Sequence, residues 1–564
     1  MINPMNKAID QIHMVLVEAA GRCVAENLLP AVPIPAFSVE IPADRNHGDF
    51  ASNIAMISAK SFHMAPRKIA ELLVSKIDLS GTCLSDVQTA GPGFINFFLS
   101  QSWYTDVLKA IAEEKEDYGS SDMGKGKKVM VEFVSANPTG PMHMGNARGG
   151  ALGDCLAAVL EKAGYDVTRE FYINDAGNQI EKFAKSLEAR YLQLYKGEDA
   201  VEFPEDGYHG DDIKERAKEF AAINGDKYVE APSEERKKAL VDYSLEKNIQ
   251  KLHDDLLKYR IEYDVWFRES TLHNDGEVAE TIEILKKNGY TYEKDGALWY
   301  TATKFGGEKD EVLVRANGIP TYFAADIAYH RNKFEKRGFD KVINVWGADH
   351  HGHVARLKGA MDAIGLDGSK LDIVLMQLVR LTRDGEVVRM SKRTGKAISL
   401  DDLLDEVPVD AARFFFNLRE ANSHLEFDLG LAVEQSSQNP VYYVQYAHAR
   451  ICSIIKNLKA EGIEPREVTD EELNLLTSPE EHELIRHLGA LPQEIEAAAK
   501  EYDPARITRY VMELATLFHK FYNSKRVKGE DEHLMQARLN LCICVRDVIR
   551  NVLSMLKITA PETM

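Results

Sequence analysis

The chain is predicted to be a multidomain α/β protein, and three observations lead there. The first 120 residues mix helical and strand-like patterns. A long middle section alternates short β-branched apolar runs with helix-periodic ones, as a parallel sheet requires, and after about residue 430 only helical periodicity remains.

Residues 1–120 read as an α+β domain. Ile9, Ile12, Leu16 and Ala20 fall on one face of an amphipathic helix, EIPADRNHGDFASN (40–53) is rich in turn formers, and FINFFL (94–99) is a short strand. The small, polar, basic run GSSDMGKGKK (119–128) marks a boundary. The middle domain is assigned to 121–430, with strand candidates at 129–134, 167–173, 342–347 and 372–379. A charged, mostly helical stretch at about 185–290 interrupts the alternation and reads as an insertion between two halves of a Rossmann-like nucleotide-binding fold. The last part, 431–564, carries helix-periodic runs at 444–458, 481–498, 507–523 and 535–556, so an all-helical bundle is expected.

A length of 564 residues calls for several domains, and 45% hydrophobic with 28% charged residues is ordinary for a globular protein. The net charge of −20 excludes a protein that coats nucleic acid nonspecifically. It leaves room for local basic faces, such as Arg380, Arg383, Arg389, Lys392, Arg393 and Lys396, or Lys520, Lys525, Arg526 and Lys528, the second of which reads equally well as a solvated face. No signal peptide and no apolar run long enough to span a bilayer are seen, so a cytoplasmic protein without a membrane partner is expected. Six scattered cysteines suit reduced thiols, and Cys542 with Cys544 lacks the second pair that a zinc site needs.

Two segments far apart in the chain carry the chemistry. TGPMHMGNARGG (139–150) follows the apolar run KVMVEFV (128–134) and precedes a helical pattern, so His143 and Gly145 sit where a strand hands over to a helix. Gly145, Gly149 and Gly150 would let a nucleotide approach the backbone, and the helix N-terminus favours phosphate charge. RMSKRTGK (389–396) is a loop with four cationic side chains. Alone, His143 reads as a helix-start histidine; with the cationic loop, both segments suit the two sides of one ATP.

On these motifs the chain resembles the class I aminoacyl-tRNA synthetases. His143-Met144-Gly145-Asn146 looks like the first class signature and Arg389-Met390-Ser391-Lys392-Arg393 like the second. The arginyl family's marks run the whole length: HGDFASN (47–53), GPGFINFFL (91–99), EFVSANPTGPMH (132–143), YINDAGNQ (172–179), IPTYFAADIAYH (319–330), WGADHHGH (346–353), NPVYYVQYAHAR (439–450), QARL (536–539) and the ending ITAPETM (558–564). Asn146 stands where the class has a second His, Arg389 where it has Lys, and Arg393 where it has Ser.

The resemblance implies ATP-dependent activation of L-arginine to arginyl-adenylate and transfer to the 3′-terminal ribose of tRNA(Arg), with Mg²⁺ accompanying the pyrophosphate. It implies that His143, Asn146, Lys392 and Arg393 act on the phosphates, and that Gly145, Asp349, His350, Met390 and Ser391 join His143 and Lys392 around ATP. Glu132, Ser135, Asn137, Tyr322 and Asp326 would bind arginine, the acids matching a planar, permanently charged guanidinium. The N-terminal domain would contact the corner of the tRNA. The C-terminal bundle would read the anticodon through Asn439, Tyr442, Tyr446 and Arg450, although any one of those tyrosines also reads as core. No metal ligands are assigned; Asp349, His350, His351 and His353 match the adenosine side of the pocket rather than a metal cluster. The family implies a monomer. Two rivals stay open: another nucleotidyl transferase sharing the histidine-glycine turn, and a non-catalytic relative, which Asn146 invites.

Overall fold

The computed structural model describes residues 3–42, 44, 47–389, 398–529 and 531–564. The predicted loop residues Met390, Ser391, Lys392 and Arg393 lie outside the described residues.

Five parallel strands form the centre of the middle domain: β1 (Lys128–Glu132), β2 (Asp166–Ile173), β3 (Val265–Arg268), β4 (Lys341–Gly347) and β5 (Leu371–Met376), in the order β5-β4-β1-β2-β3. The chain winds from β1 outward to β3, then crosses to β4 and continues to β5, so the strand order reverses between β1 and β4. In such sheets the crevice beyond the strand ends at that reversal is where ligands bind. Alternation along β1 explains why both faces are covered. Val129 and Val131 pack with Ala151, Cys155 and Leu156 of helix α1 (Met144–Lys162). Met130 packs on the other face with Phe323 and Ile327 of helix α2 (Tyr322–Arg331) and Leu357 of helix α3 (His351–Ala363).

Four of these strands coincide with the apolar runs of the sequence to within a few residues. β3 does not: it is four residues long, half-buried throughout and lies at the sheet edge. Between β2 and β3 stand the helices Asn178–Lys196, Asp211–Asn224 and Ser233–Lys258, in keeping with a helical insertion. Beyond β3 the structure adds a small antiparallel sheet, Thr291–Lys294, Ala297–Tyr300 and Glu311–Val314, which the polar sequence does not announce.

The N-terminal domain is a four-stranded antiparallel sheet with helices Pro4–Ala25, Ile54–Phe62, Pro66–Lys76 and Gln101–Glu114. The C-terminal part is helical, dominated by Pro440–Ala460, Pro479–Gly489, Leu491–Glu501, Ala505–Ser524 and Glu532–Met555. The two ends of the chain meet. Asp49 accepts from the Leu99 amide at 2.8 Å and pairs with Arg486 at 2.5 Å, and Tyr118 donates to the Leu488 carbonyl at 3.0 Å. No helix among the described residues is long and apolar enough to cross a membrane.

Candidate active site

At the reversal point the backbone leaves β1 through two consecutive left-handed residues, Val134 (φ 68°) and Ser135 (φ 44°). A β-branched residue rarely adopts that conformation, and such strain persists only where surrounding contacts enforce it. Here the contacts are visible. The Ser135 hydroxyl donates to Glu132 Oε1 at 3.1 Å and accepts from the Tyr172 amide at 3.1 Å, and the Ser135 amide donates to the Phe133 carbonyl at 3.0 Å. The turn throws the chain across the ends of the strands and leads it to His143.

His143 is the N-cap of α1. Its Nδ1 accepts from the Gly145 amide at 3.1 Å, and Asn146 Oδ1 accepts from the His143 amide at 3.0 Å, a reciprocal cap. With Nδ1 accepting, the neutral ring carries its proton on Nε2, a donor at an exposed helix N-terminus suited to an anion. Gly145 leaves room for the ring: a Cβ there would lie 3.0 Å from His143 Cε1 and would press on the capping imidazole. Gly149 and Gly150 differ from expectation. Both are buried; a Cβ on Gly150 would come within 2.7 Å of Ile261 Cδ1, so Gly150 serves close packing of the helix, whereas a Cβ on Gly149 would make only ordinary contacts with Met376.

Two adjoining cavities flank this turn. The first, about 440 Å³, is lined by Glu132, Ser135, Tyr172, Asp326, Tyr329, His330, Trp346, Asp349, His350 and His353 among others. The second, about 630 Å³, is lined by Asn137, Thr139, His143, Asn146 and, from the insertion, Tyr208, Gly210 and Asp212. Val134, Ser135 and His350 line both. One cavity therefore offers carboxylates and aromatic rings, and the other a helix N-terminus with a ring donor.

The carboxylate end is extensively hydrogen-bonded. Glu132 is buried and pairs with Lys333 at 2.5 Å. Lys333 also donates to Asn344 Oδ1 at 3.3 Å, and Asn344 Nδ2 lies 3.0 Å from His330 Nε2. His330 gives its other nitrogen to the Asp326 carbonyl at 2.8 Å. Burial, reinforced by the Lys333 ammonium, holds its pKa well below the ordinary histidine range, so the ring is neutral. The Asp326 carboxylate meets His353 Nε2 at 3.0 Å. The Tyr172 hydroxyl donates to Glu269 at 2.9 Å, and burial with that carboxylate pushes it well above the usual phenol range.

Tyr322 and Asp326 lie one turn apart on α2 as their spacing predicts, yet they line different cavities. Tyr322, 37% exposed, borders a smaller space of about 210 Å³ with Gly177, Glu269, His273 and Arg315. The Gln179 amide lies 3.4 Å from its hydroxyl. Gly177 takes φ 78° just before the helix Asn178–Lys196, a conformation that favours glycine. Asn137 lies in the cavity with His143 and not among the carboxylates. Asp349 and His350 are exposed and line the carboxylate cavity, His350 also the one with His143, and no group of three or more His, Cys, Asp or Glu positioned for a metal occurs among the described residues.

The segment after the undescribed loop returns to the first motif. The Leu400 amide donates to the Met142 carbonyl at 2.9 Å, and Ser399 forms a β-bridge with His143.

In the C-terminal bundle, Tyr442 and Tyr446 stack at 6.4 Å, and the Arg450 guanidinium lies 5.1 Å from the Tyr446 ring and 5.0 Å from that of Tyr522. Arg450 also donates to His519 Nδ1 at 3.3 Å; burial and that cation pull the His519 pKa down to about 4. Asn439 leaves this set. It is 3% exposed, its Oδ1 caps the Val441 amide at 3.2 Å, and its Nδ2 donates to the Glu434 carbonyl at 2.9 Å, so its side chain is occupied in starting the helix. The basic cluster near residue 525 is largely neutralised: Lys520 pairs with Glu483 at 2.7 Å, Lys525 with Glu480 at 3.3 Å, and Lys528 with Glu461.

Lys333, Tyr172, His330, Tyr208 and Asp212 were missed from the sequence, and His353, expected beside the adenosine, instead bonds Asp326 in the carboxylate-lined cavity. Lys333 and His330 had a usable signal, since Asp326, Tyr329, His330 and Lys333 follow the spacing of one helix face. Tyr208 and Asp212 had none, lying in the charged insertion.

Comparison with known proteins follows the same division of the chain. Residues 107–451 match the family model for tRNA synthetases class I (R), catalytic domain; residues 10–99 match the arginyl tRNA synthetase N terminal domain; residues 444–564 match the DALR anticodon binding domain. The chain is 59% identical to the arginine–tRNA ligase of Acetivibrio thermocellus and 60% identical to that of Caldanaerobacter subterraneus subsp. tengcongensis, each over 564 residues and the full length of both proteins. The fold resembles that of Thermus thermophilus arginyl-tRNA synthetase, with a TM-score of 0.73 at 22% identity over all of both chains.

Proposed function

The chain belongs to the arginyl-tRNA synthetase family, and from that premise we propose how its residues divide the work. The reaction is arginine–tRNA ligation: the arginine carboxylate attacks the ATP α-phosphate, pyrophosphate leaves, and the acyl group passes from arginyl-adenylate to the 3′-terminal ribose of tRNA(Arg), releasing AMP. Such a transfer depends on positioning and charge neutralisation more than on a covalent catalyst.

We assign the guanidinium to the cavity between Glu132 and Asp326, with the α-amino and carboxylate end toward Ser135 and Asn137. The observation that carries this reading is that the two cavities adjoin, sharing Val134, Ser135 and His350 in their walls, which places the acids and His143 on neighbouring sides of one turn. His143 Nε2 donates to phosphate oxygen as charge develops there, while Asn146 fixes the histidine through the reciprocal cap. Lys392 and Arg393 are assigned to the β- and γ-phosphates, supported by the Ser399 bridge to His143. Asp349 and His350 border the nucleotide, and Tyr322 guards the entrance. The oxygen donors near His143, Asp212 and Asn146 among them, suit a water-rich Mg²⁺ held chiefly by the phosphates, whose charge it would help neutralise.

Tyr442, Tyr446 and Arg450 are assigned to unstacked tRNA bases; their stacked, partly exposed ladder supports this. The N-terminal domain is a second RNA contact. We divide the chain into domains at about residues 120 and 430, take it as a monomer and place it in the cytoplasm, where its six free cysteines suit reducing conditions. Charging of tRNA(Arg) with labelled arginine tests the reading. Arginine-dependent acylation is expected, and acylation by another amino acid in preference to arginine would overturn it.

A further inference from the structure

Lys333 is a fully buried lysine, a placement rarely found without a partner. It sits where α2 widens into a π-helical turn, Asn332–Lys336, a feature that recurs at functional sites. Its ammonium is held on three sides: Glu132 Oε2 at 2.5 Å, Asn344 Oδ1 at 3.3 Å, and the Tyr329 ring with its centroid 4.0 Å away. The sheet register explains the first two, because Glu132 of β1 and Asn344 of β4 are direct neighbours across the parallel pair. Lys333 lies behind Glu132 rather than in the cavity, so it acts on any ligand only through that carboxylate.

We propose that Lys333 is a positioning residue that sets the selectivity of the arginine cavity. The inference rests on the assignment of the cavity to the arginine side chain. Lys333 fixes one Glu132 oxygen and Ser135 the other, so the carboxylate plane is set before a ligand arrives. A guanidinium bonds through a rigid planar fork, so the orientation of its acceptor governs the strength of the pair. Lys333 also sets the charge. Glu132 and Asp326 contribute two negative charges and Lys333 one positive, leaving a single negative charge to meet a single cation. Without Lys333 the cavity would hold an uncompensated buried carboxylate, a strongly unfavourable state.

The test is steady-state charging of tRNA(Arg) by the full-length enzyme with Lys333→Met, Glu132→Gln and the double variant, measuring KM for arginine and for ATP separately. Lys333→Met is expected to raise the arginine KM about tenfold or more while kcat and the ATP KM change by less than about twofold. In the Glu132→Gln background the same substitution should change the arginine KM by less than about twofold, because the group it acts through has been neutralised. If Lys333→Met alone does not fold, Asn344→Ala is the second variant: it removes an oxygen that holds the Lys333 ammonium while leaving the ion pair with Glu132, and it should raise the arginine KM about two- to threefold with the ATP KM unchanged, an unchanged arginine KM overturning the proposal. An unchanged arginine KM in Lys333→Met, a parallel rise in the ATP KM, or independent effects in the double variant would overturn the proposal. If Glu132→Gln itself leaves the arginine KM unchanged, the assignment of the cavity falls instead.

Discussion

At the carboxylate-lined cavity proposed for arginine, Glu132, Lys333, Asn344 and His330 are buried and bonded to one another in a continuous chain. At the end proposed for the phosphates, His143 is exposed and held by its cap bonds with Gly145 and Asn146 and by the bridge to Ser399. The contrast follows from what each ligand group demands. A guanidinium must be told from other side chains by fixed, desolvated acceptors, where a wrong partner leaves buried polar groups unpaired. A triphosphate is recognised chiefly by charge and must be released as pyrophosphate, so an open helix terminus with added cations suits it. On the proposed assignment, selectivity is built into the core of the sheet and phosphate chemistry is carried at its rim.

The largest expected effect breaks the rim. Lys392→Ala should lower the rate of arginine activation by about 10²–10³-fold while leaving the arginine KM nearly unchanged. ATP–pyrophosphate exchange in the presence of tRNA measures both, and an unaltered rate removes Lys392 from the chemistry. The next effect falls at the core. Asp326→Asn should raise the arginine KM by about ten- to a hundredfold with little change in kcat, the loss expected for one charge-assisted hydrogen bond. If the ATP KM rises equally, the two ends are not separable as described.

How much of this was readable from residues alone depends on burial. β1 and β4 are buried runs rich in β-branched residues, because both faces of the sheet are covered there, while β2 and the edge strand β5 are largely half-buried but keep apolar runs long enough to read as strands. β3 and the small antiparallel sheet are short and partly exposed, so nothing constrains them to look like strands. The roles of Glu132, Asp326 and His143 were reached through family resemblance, and the structure adds their partners. Lys333 stayed hidden in the charged run RNKFEKR, since the solvated face is the usual place for such a run. Asn439 shows a signal that was present and passed over: Asn followed by Pro at the start of a helical pattern is an N-cap with proline at the first helical position.

Asn439 and Tyr446 carry the comparison into the C-terminal bundle, where the effects are smallest. Tyr446→Ala removes an exposed stacking surface and should raise the KM for tRNA(Arg) about five- to tenfold, with arginine and ATP constants unchanged. Asn439→Ala removes a buried cap and should lower stability by about 1 kcal/mol, seen as a lower Tm, with no change in the tRNA KM. Acidification gives a third view of the same helix pair. His519 has a pKa pulled down to about 4, against an unfolded value of about 6.5. The unfolded chain therefore binds a proton between those values while the folded chain does not, so the stability held above pH 6.5 is lost as pH falls toward 4. Thermal unfolding of wild type and His519→Gln across that window should show the steeper decline in wild type. Matching slopes would mean that His519 is protonated alike in both states and that Arg450 does not hold it neutral.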